Sequence, residues 1–471
     1  NPVIVRPRRI GVSSLRMGPF YTVASVELGN TTTKCILVST NLKTAEIFEI
    51  EKEVRLTREV RPPRTDETVF GSTLVGIDLT REAVSEMISD VLTTVLSRAR
   101  IDIERDLHFV VRSTGVTASF AEPAEVGAIV QALADGCLAA GVPPRKMTAS
   151  LSPENLPPSI RDFTWLKKVY FDGAVASSLP PANTEIVANE MEGELITAGL
   201  KGAAKSTEID FRNPVMTLDF GTTLAGRVTS DGYPYAKTVG SFAGLAGAIP
   251  DALIRGTGQV DDSTGCVLDL QCNWKTSDAV IDQDWIERAR QIVIVKRVPR
   301  KTKRFGTVPV SVNAADESGV VLIGVDAGDN GSDLSRLENL GGEISSSGGI
   351  GLLMNVIDTI QADIVQRIVT LAEAEGLVLD DTSLGITGRA ATTGSKPRLI
   401  NEHLVKIDGS LWTDSHQLMF VEDGLAMGAA VAARCMNSVG TRHNPMGGRK
   451  GDKCVMGARM KLQKAKKPQQ E

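Results

Sequence analysis

From Arg81 onward, apolar residues recur at the spacing of one helical face: Val84, Met87, Ile88, Val91, Leu92, Val95, Leu96 and Ala99 follow an i, i+3, i+4 pattern without a miss. Thr80 stands where a capping hydroxyl belongs, so the pattern predicts an amphipathic helix starting there. Two short apolar runs, Tyr21 to Glu27 and Leu107 to Arg112, predict strands, the second closing on Ser113-Thr114-Gly115. Met354 to Ala374 places Val356, Ile357, Ile360, Ile364, Val365, Ile368, Val369 and Ala372 on one face of a second helix. Leu384 to Arg389 is an apolar strand ending in Thr-Gly-Arg, and Gly424 to Val431 a helix of small residues. Strands and helices alternate, which makes the fold class α/β.

The chain has 471 residues, 42% hydrophobic and 23% charged, ordinary values for globular domains. Aromatics are 4% against 44 glycines, and the net charge is −5. That balance speaks against stacking platforms for single-stranded nucleic acid and against a general attraction to anionic membranes. The longest uncharged run, Ile344 to Ile357, is 14 residues, short of the ~20 that span a bilayer. Six dispersed cysteines and four dispersed histidines give no chelating spacing, so neither zinc nor an iron–sulfur cluster is expected, and reduced thiols point to the cytoplasm.

The chemistry lies in an internal echo. Residues 25 to 34 read Ser-Val-Glu-Leu-Gly-Asn-Thr-Thr-Thr-Lys, and 217 to 224 read Thr-Leu-Asp-Phe-Gly-Thr-Thr-Leu. Each is a strand ending in acid-x-Gly followed by small hydroxyl residues. Glycine lets backbone amides approach an anion, hydroxyls bind phosphate oxygens, and a carboxylate at the strand end holds Mg²⁺ or its waters. One Asp-x-Gly-Thr-Thr turn is commonly a plain hairpin; a second copy makes a pair of phosphate loops the better reading. Two such loops facing each other suit the β- and γ-phosphates of ATP.

These loops resemble those of the actin, sugar kinase and heat-shock chaperone superfamily of ATPases, which have two ribonuclease-H-like halves around a nucleotide cleft. Glu27, Gly29, Thr31, Thr32 and Lys34 match its first phosphate motif, with Asn30 between them, and Asp219, Gly221, Thr222 and Thr223 match its second. Within that superfamily the first loop looks most like the ATP-dependent activators of 2-hydroxyacyl-CoA dehydratases. Met354 to Ala374 resembles their connecting helix, Thr387-Gly388-Arg389 their adenosine loop, and Gly424 to Val431 their closing helix. Over residues 20 to 460 the chain resembles the archaeal methanogenesis marker protein 14 family. The resemblance implies ATP and Mg²⁺ as ligands, with Asp219 and Glu27 as catalytic acids holding the metal through water. It also implies a protein partner, a methanogenesis enzyme awaiting activation.

The implied organisation is a flexible leader at 1–20, a first half at 21–180, a second half at 181–440 containing an unmatched insert at 250–345, and a basic tail at 441–471. Glu27 replaces the superfamily's usual Asp, and Arg389 stands where a second Gly is usual. Both favour an alternative, a scaffold that binds nucleotide without hydrolysing it; a small-molecule kinase built on the same loops is another. The basic stretch Arg288 to Arg304 reads as a charge-guarded edge strand and hairpin, and it and the tail from Arg442 are also candidate docking surfaces for an acidic partner.

Overall fold

Two sheets organise the protein in its computed structural model, which describes residues 1–116, 123–147, 150–151, 171–172, 174–176, 190–232, 236–270 and 280–438. The proposed boundary near residue 180, Cys272 and the tail from 439 lie outside the described residues. In chain order the sheet strands are β1 (Ile4–Val5), β2 (Arg8–Arg9), β3 (Phe20–Leu28), β4 (Thr32–Asn41), β5 (Ile47–Leu56), β6 (Phe109–Thr114), β7 (Ala174–Ala176), β8 (Val215–Phe220), β9 (Leu224–Thr229), β10 (Thr238–Gly244), β11 (Val293–Arg297), β12 (Val321–Ala327), β13 (Ser383–Thr387) and β14 (Leu418–Val421). One sheet runs β7-β6-β3-β4-β5-β2, the other β1-β14-β13-β8-β9-β10-β12-β11.

Five strands of each sheet repeat one plan. β7-β6-β3-β4-β5 and β14-β13-β8-β9-β10 share order and direction: parallel, parallel, antiparallel, antiparallel. The echoed sequences therefore fall on equivalent hairpins, β3–β4 and β8–β9.

The helix predicted at Thr80 forms as α1 (Arg81–Ala99). Thr80 Oγ1 accepts from Ala83 N at 3.2 Å, and Arg100 closes the C-terminus in the left-handed region. Its stripe, Val84 to Leu96, is buried on the first sheet, each side chain contributing about 1.5–3 kcal/mol. Helices α2 (Glu190–Ala204) and α3 (Gly424–Ser438) pack together in a core that draws Val23, Ile36 and Val38 from one sheet and Val215, Met419 and Val421 from the other.

The helix read from Met354 is longer than its pattern. It runs Leu334–Ala374 with a break at Gly349 (φ 78°), and its front half packs through Leu337, Leu340 and Ile344. At Gly341 any Cβ would run into the Leu253 carbonyl, so a serine- and glycine-rich stretch is helical here because small residues admit a neighbouring backbone. Among the described residues this is the one helix long and apolar enough to cross a membrane, and 56% of its apolar window is buried inside the protein.

One expectation is corrected. The leader is not free: Ile4 and Val5 pair with Phe420 and Val421, Arg8 and Arg9 pair with Phe48 and Glu49, and Arg6, Arg9 and Arg16 reach Glu422, Glu49 and Asp106 at 2.7–2.9 Å. Residues 250–345 supply β11 and β12, two strands of the larger sheet beyond the repeated five. The charge-guarded edge is found: β11 is the outer strand, with Arg288, Arg290 and Arg297 paired to Glu343, Asp363 and Glu375. Those charges are engaged within the chain, which weakens this stretch as a docking surface.

Candidate functional site

In both hairpins the strand register sets the acid. Glu27 lies opposite Lys34 across β3 and β4, and their side chains meet at 3.2 Å. Asp219, the penultimate residue of β8, lies beside Thr387 of the parallel neighbour β13. At Gly388 (φ 91°) an added Cβ would fall 2.6 Å from Asp219 Oδ1 and closer still to Phe220. The Thr387-Gly388-Arg389 turn thus rests directly on the second echoed loop, and only glycine fits.

Each loop is held by its own backbone and by neighbours. Gly29 N donates to Thr32 O at 2.9 Å, Thr57 Oγ1 donates to Gly29 O at 2.7 Å, and Asn30 accepts from Leu74 N while donating to Gly115 O. Asn30 is thus spent on fixing the loop. In the second loop, Gly221 O accepts from Gly247 N, and Thr222 O accepts from Ala246 N and Ala248 N, both just past β10 of the same sheet. Gln361 of the long helix donates to Ala246 O at 3.3 Å. Thr223 forms a bridge with Leu245, and Thr31, Thr32, Thr222 and Thr223 are half-buried.

The two loops meet. Thr31 Oγ1 and Thr222 Oγ1 are 2.7 Å apart, one hydrogen bond between residues 191 positions apart. The structure therefore brings Glu27, Lys34, Thr31, Asp219 and Thr222 to one place. Thr387 is nearby but buried and engaged, donating to Val421 O at 2.7 Å and accepting from Gly424 N at 3.1 Å. Arg389 is exposed at the start of a short helix.

Burial, then the charge of Glu27, pushes the Asp219 carboxyl up to about 7, against the pull of Lys34. Lys34 is held above the usual lysine range, chiefly by Glu27, with Asp423 and Asp219 adding to it. Two carboxylates facing one ammonium leave negative charge unmet, which is what a divalent cation with oxygen ligands relieves. Asp423 escaped sequence reading because the pair Glu422-Asp423 before Gly424 forms no recognisable motif; its Oδ2 also takes Lys52 at 3.1 Å.

A profile of the family described as "Uncharacterized protein conserved in archaea (DUF2114)" matches residues 20–463. The chain belongs to this family. An uncharacterized protein of Methanothermobacter thermautotrophicus is 52% identical over 99% of this chain and 90% of its own length. One of Methanocaldococcus jannaschii is 49% identical over 98% of this chain and 94% of its own. Among solved structures, a reductive activator for a corrinoid, iron–sulfur protein aligns with 88% of this chain and 60% of its own, at TM-score 0.35 and 12% identity. A Ppx/GppA phosphatase of Aquifex aeolicus aligns with 51% of this chain and 57% of its own, at TM-score 0.27 and 12% identity.

Beside the touching threonines lies a cavity of about 20 Å³ lined by Thr31, Thr222, Arg58, Asp251 and Cys266, room for about one water. Arg58, just past β5, crosses to the larger sheet's side, holding both carboxylate oxygens of Asp269 and donating to Thr264 O at 3.2 Å. Burial pushes the Asp251 carboxyl up to about 6, against a hydrogen bond from Val267 N. The Cys266 thiol is pushed up to about 12 and Cys137 likewise, both mainly by burial, so neither is poised as a thiolate.

Proposed function

We propose that this protein binds ATP between two ribonuclease-H-like halves and hydrolyses it slowly, acting as an energy-dependent activator or assembly factor for a redox metalloenzyme of methanogenesis. The carrying observation is the convergence of the two echoed hairpins, with Glu27 and Asp219 on the equivalent strands and Thr31 against Thr222. The five-strand repeats are the two halves, and the hairpins are their phosphate loops.

Thr31, Thr32, Thr222 and Thr223 would cradle phosphate oxygens once the loops part, and Lys34 would offset their charge. Glu27 and Asp219 fit Mg²⁺ held through water; the metal would neutralise charge on the transferring phosphoryl group. Asp219, with a carboxyl raised to about 7, is placed to orient a water and accept its proton. The client is a protein by analogy with the activators whose loop the chain resembles. No iron–sulfur cluster in this chain is required, so electrons would come from another protein.

Asp251 favours a second reading. A buried carboxyl raised to about 6 on the wall of the cavity at Thr31 and Thr222 is where a small-molecule kinase would keep the base for an acceptor hydroxyl. Phosphate release measured alone, with candidate metabolites and with client extract separates these roles: an activator is slow alone and stimulated by protein, a kinase by a metabolite. Mg²⁺-dependent ATP affinity that is unchanged in both Asp219→Asn and Thr222→Val would remove the site itself.

A further inference from the structure

Asp423 belongs to neither echoed hairpin, yet strand register brings it to the first one. Across β4 and β5, Lys34 lies opposite Val54 and Ile36 opposite Lys52. Directly opposed residues share a face of the sheet, as do residues two apart along a strand. Lys34 and Lys52 therefore stand on the face that Ile36 buries in the core shared with Leu425 and Ala429 of α3. Asp423 heads α3 on that face: its carbonyl accepts from Met427 N at 3.1 Å, and its carboxylate takes Lys52 at 3.1 Å.

Three features make Asp423 more than a helix start. Its backbone is left-handed (φ 55°), a conformation sparsely populated by non-glycine residues. The next amide, Gly424 N, is tied at 3.1 Å to Thr387, the strand neighbour of Asp219, which fixes the turn against the second loop. Its Oδ2 is engaged by Lys52, while Oδ1 carries no hydrogen bond among the described residues. Lys34 in turn has one ion pair, with Glu27 at 3.2 Å, and after Glu27 it is Asp423, ahead of Asp219, that most favours its charged form.

The Lys34 ammonium thus sits on the carboxylate that the proposed metal needs, and two cations compete for one acid. We infer that Lys34 is a placeholder for Mg²⁺ and Asp423 its receiver: once Glu27 is claimed by the metal, Lys34 transfers to the open oxygen of Asp423. This rests on the reading of Glu27 and Asp219 as the metal's acids. Asp423 acts through Lys34 and is a positioning residue. The exchange keeps the lysine's charge in the cleft, where the proposed phosphates need it.

Manganese alone is the probe, titrated into the full-length protein at about pH 8, where carboxylates are charged, with the free ion read by electron paramagnetic resonance. Lys34→Met should tighten Mn²⁺ binding roughly fivefold, because the competing cation is gone, whereas Asp423→Asn should weaken it roughly threefold, because Lys34 has lost its second partner. Asparagine is among the residues most at home in left-handed backbone, so the turn survives that substitution. In the Lys34→Met background, Asp423→Asn should lose most of its effect; a purely structural role or a through-space charge effect would persist there in full. The inference alone is overturned if Mn²⁺ binding depends on Glu27 but Lys34→Met weakens it, or if Asp423→Asn acts equally in both backgrounds. Mn²⁺ binding that is absent from the wild type, or that survives Glu27→Gln unchanged, overturns the metal-site reading and the inference with it.

Discussion

Replacing Asp219 by Asn should stabilise the protein while impairing the site. The Asp219 carboxyl sits at about 7 in the folded chain against an ordinary 3.8. A folded value raised above the unfolded one means that the folded state holds the proton more tightly. The stability this contributes is complete below 3.8 and is lost as pH rises through about 7. The separation of about three pH units corresponds to roughly 4 kcal/mol at full ionisation. The cause is burial first and Glu27 second, and Asn removes both, since it carries no charge to desolvate or repel. In EDTA, wild type should therefore lose about 2–3 kcal/mol between pH 5 and pH 8 through this group, and Asp219→Asn should be more stable than wild type at pH 8 by about 2–4 kcal/mol. Urea denaturation of both proteins at the two pH values reads this directly. Adding Mg²⁺ and nucleotide should reverse the order, because the variant has lost the charge that the metal requires. A variant no more stable than wild type at pH 8 would refute the reasoning.

Gly388→Ala should lower stability by roughly 2 kcal/mol or more, because the added carbon meets Asp219 and Phe220 at a left-handed backbone position; thermal melting reads it, and an unchanged midpoint would be the contrary result. Arg58→Ala removes the Asp269 contact across the cleft, so a fluorescent ATP analogue should associate several-fold faster in stopped flow, with thermal stability lowered by no more than about 1 kcal/mol. Cys35, Cys137 and Cys266, all buried with their thiols held protonated, should resist iodoacetamide in the native protein at pH 8; rapid labelling of Cys266 by mass spectrometry would show a reactive thiol at the cleft.

What could be read from the sequence was what is written locally. The α1 stripe and its Thr80 cap occupy consecutive turns, and each echoed hairpin is a run of about ten residues, so both are legible in the sequence. The leader was missed because β1 and β2 are two residues each, too short for periodicity, and they are held by backbone pairing and by arginines whose partners lie up to 416 positions away. The Arg58–Asp269 contact spans 211 positions, and neither residue carries a mark of its own. Its place in the motif puts Asn30 among the nucleotide-binding candidates, yet its amide fastens the loop to Gly115 and Leu74. A hydrogen-bonding side chain in a loop does not announce whether it faces the ligand or the scaffold.

The contacts that close the cleft and those that join the sheets are of different kinds, and the difference says where the molecule can move. At the loops, the polar closure consists of the threonine–threonine hydrogen bond, the partly exposed Arg58–Asp269 ion pair and the Arg58 hydrogen bond to Thr264 O, worth about 1 kcal/mol each. Across α2 and α3 the sheets share a continuous apolar core that includes Val23, Ile36, Leu195, Leu200, Met419 and Ala430, each large side chain contributing about 1.5–3 kcal/mol on burial. If phosphates and a divalent cation bind here as proposed, their binding energy is ample to separate the first set and far too small to separate the second. Opening would therefore pivot on the α2–α3 core and be confined to the edge where Thr31 meets Thr222. A nucleotide held by both loops would then favour one separation of the hairpins over another, which is the differential affinity that moving a client requires.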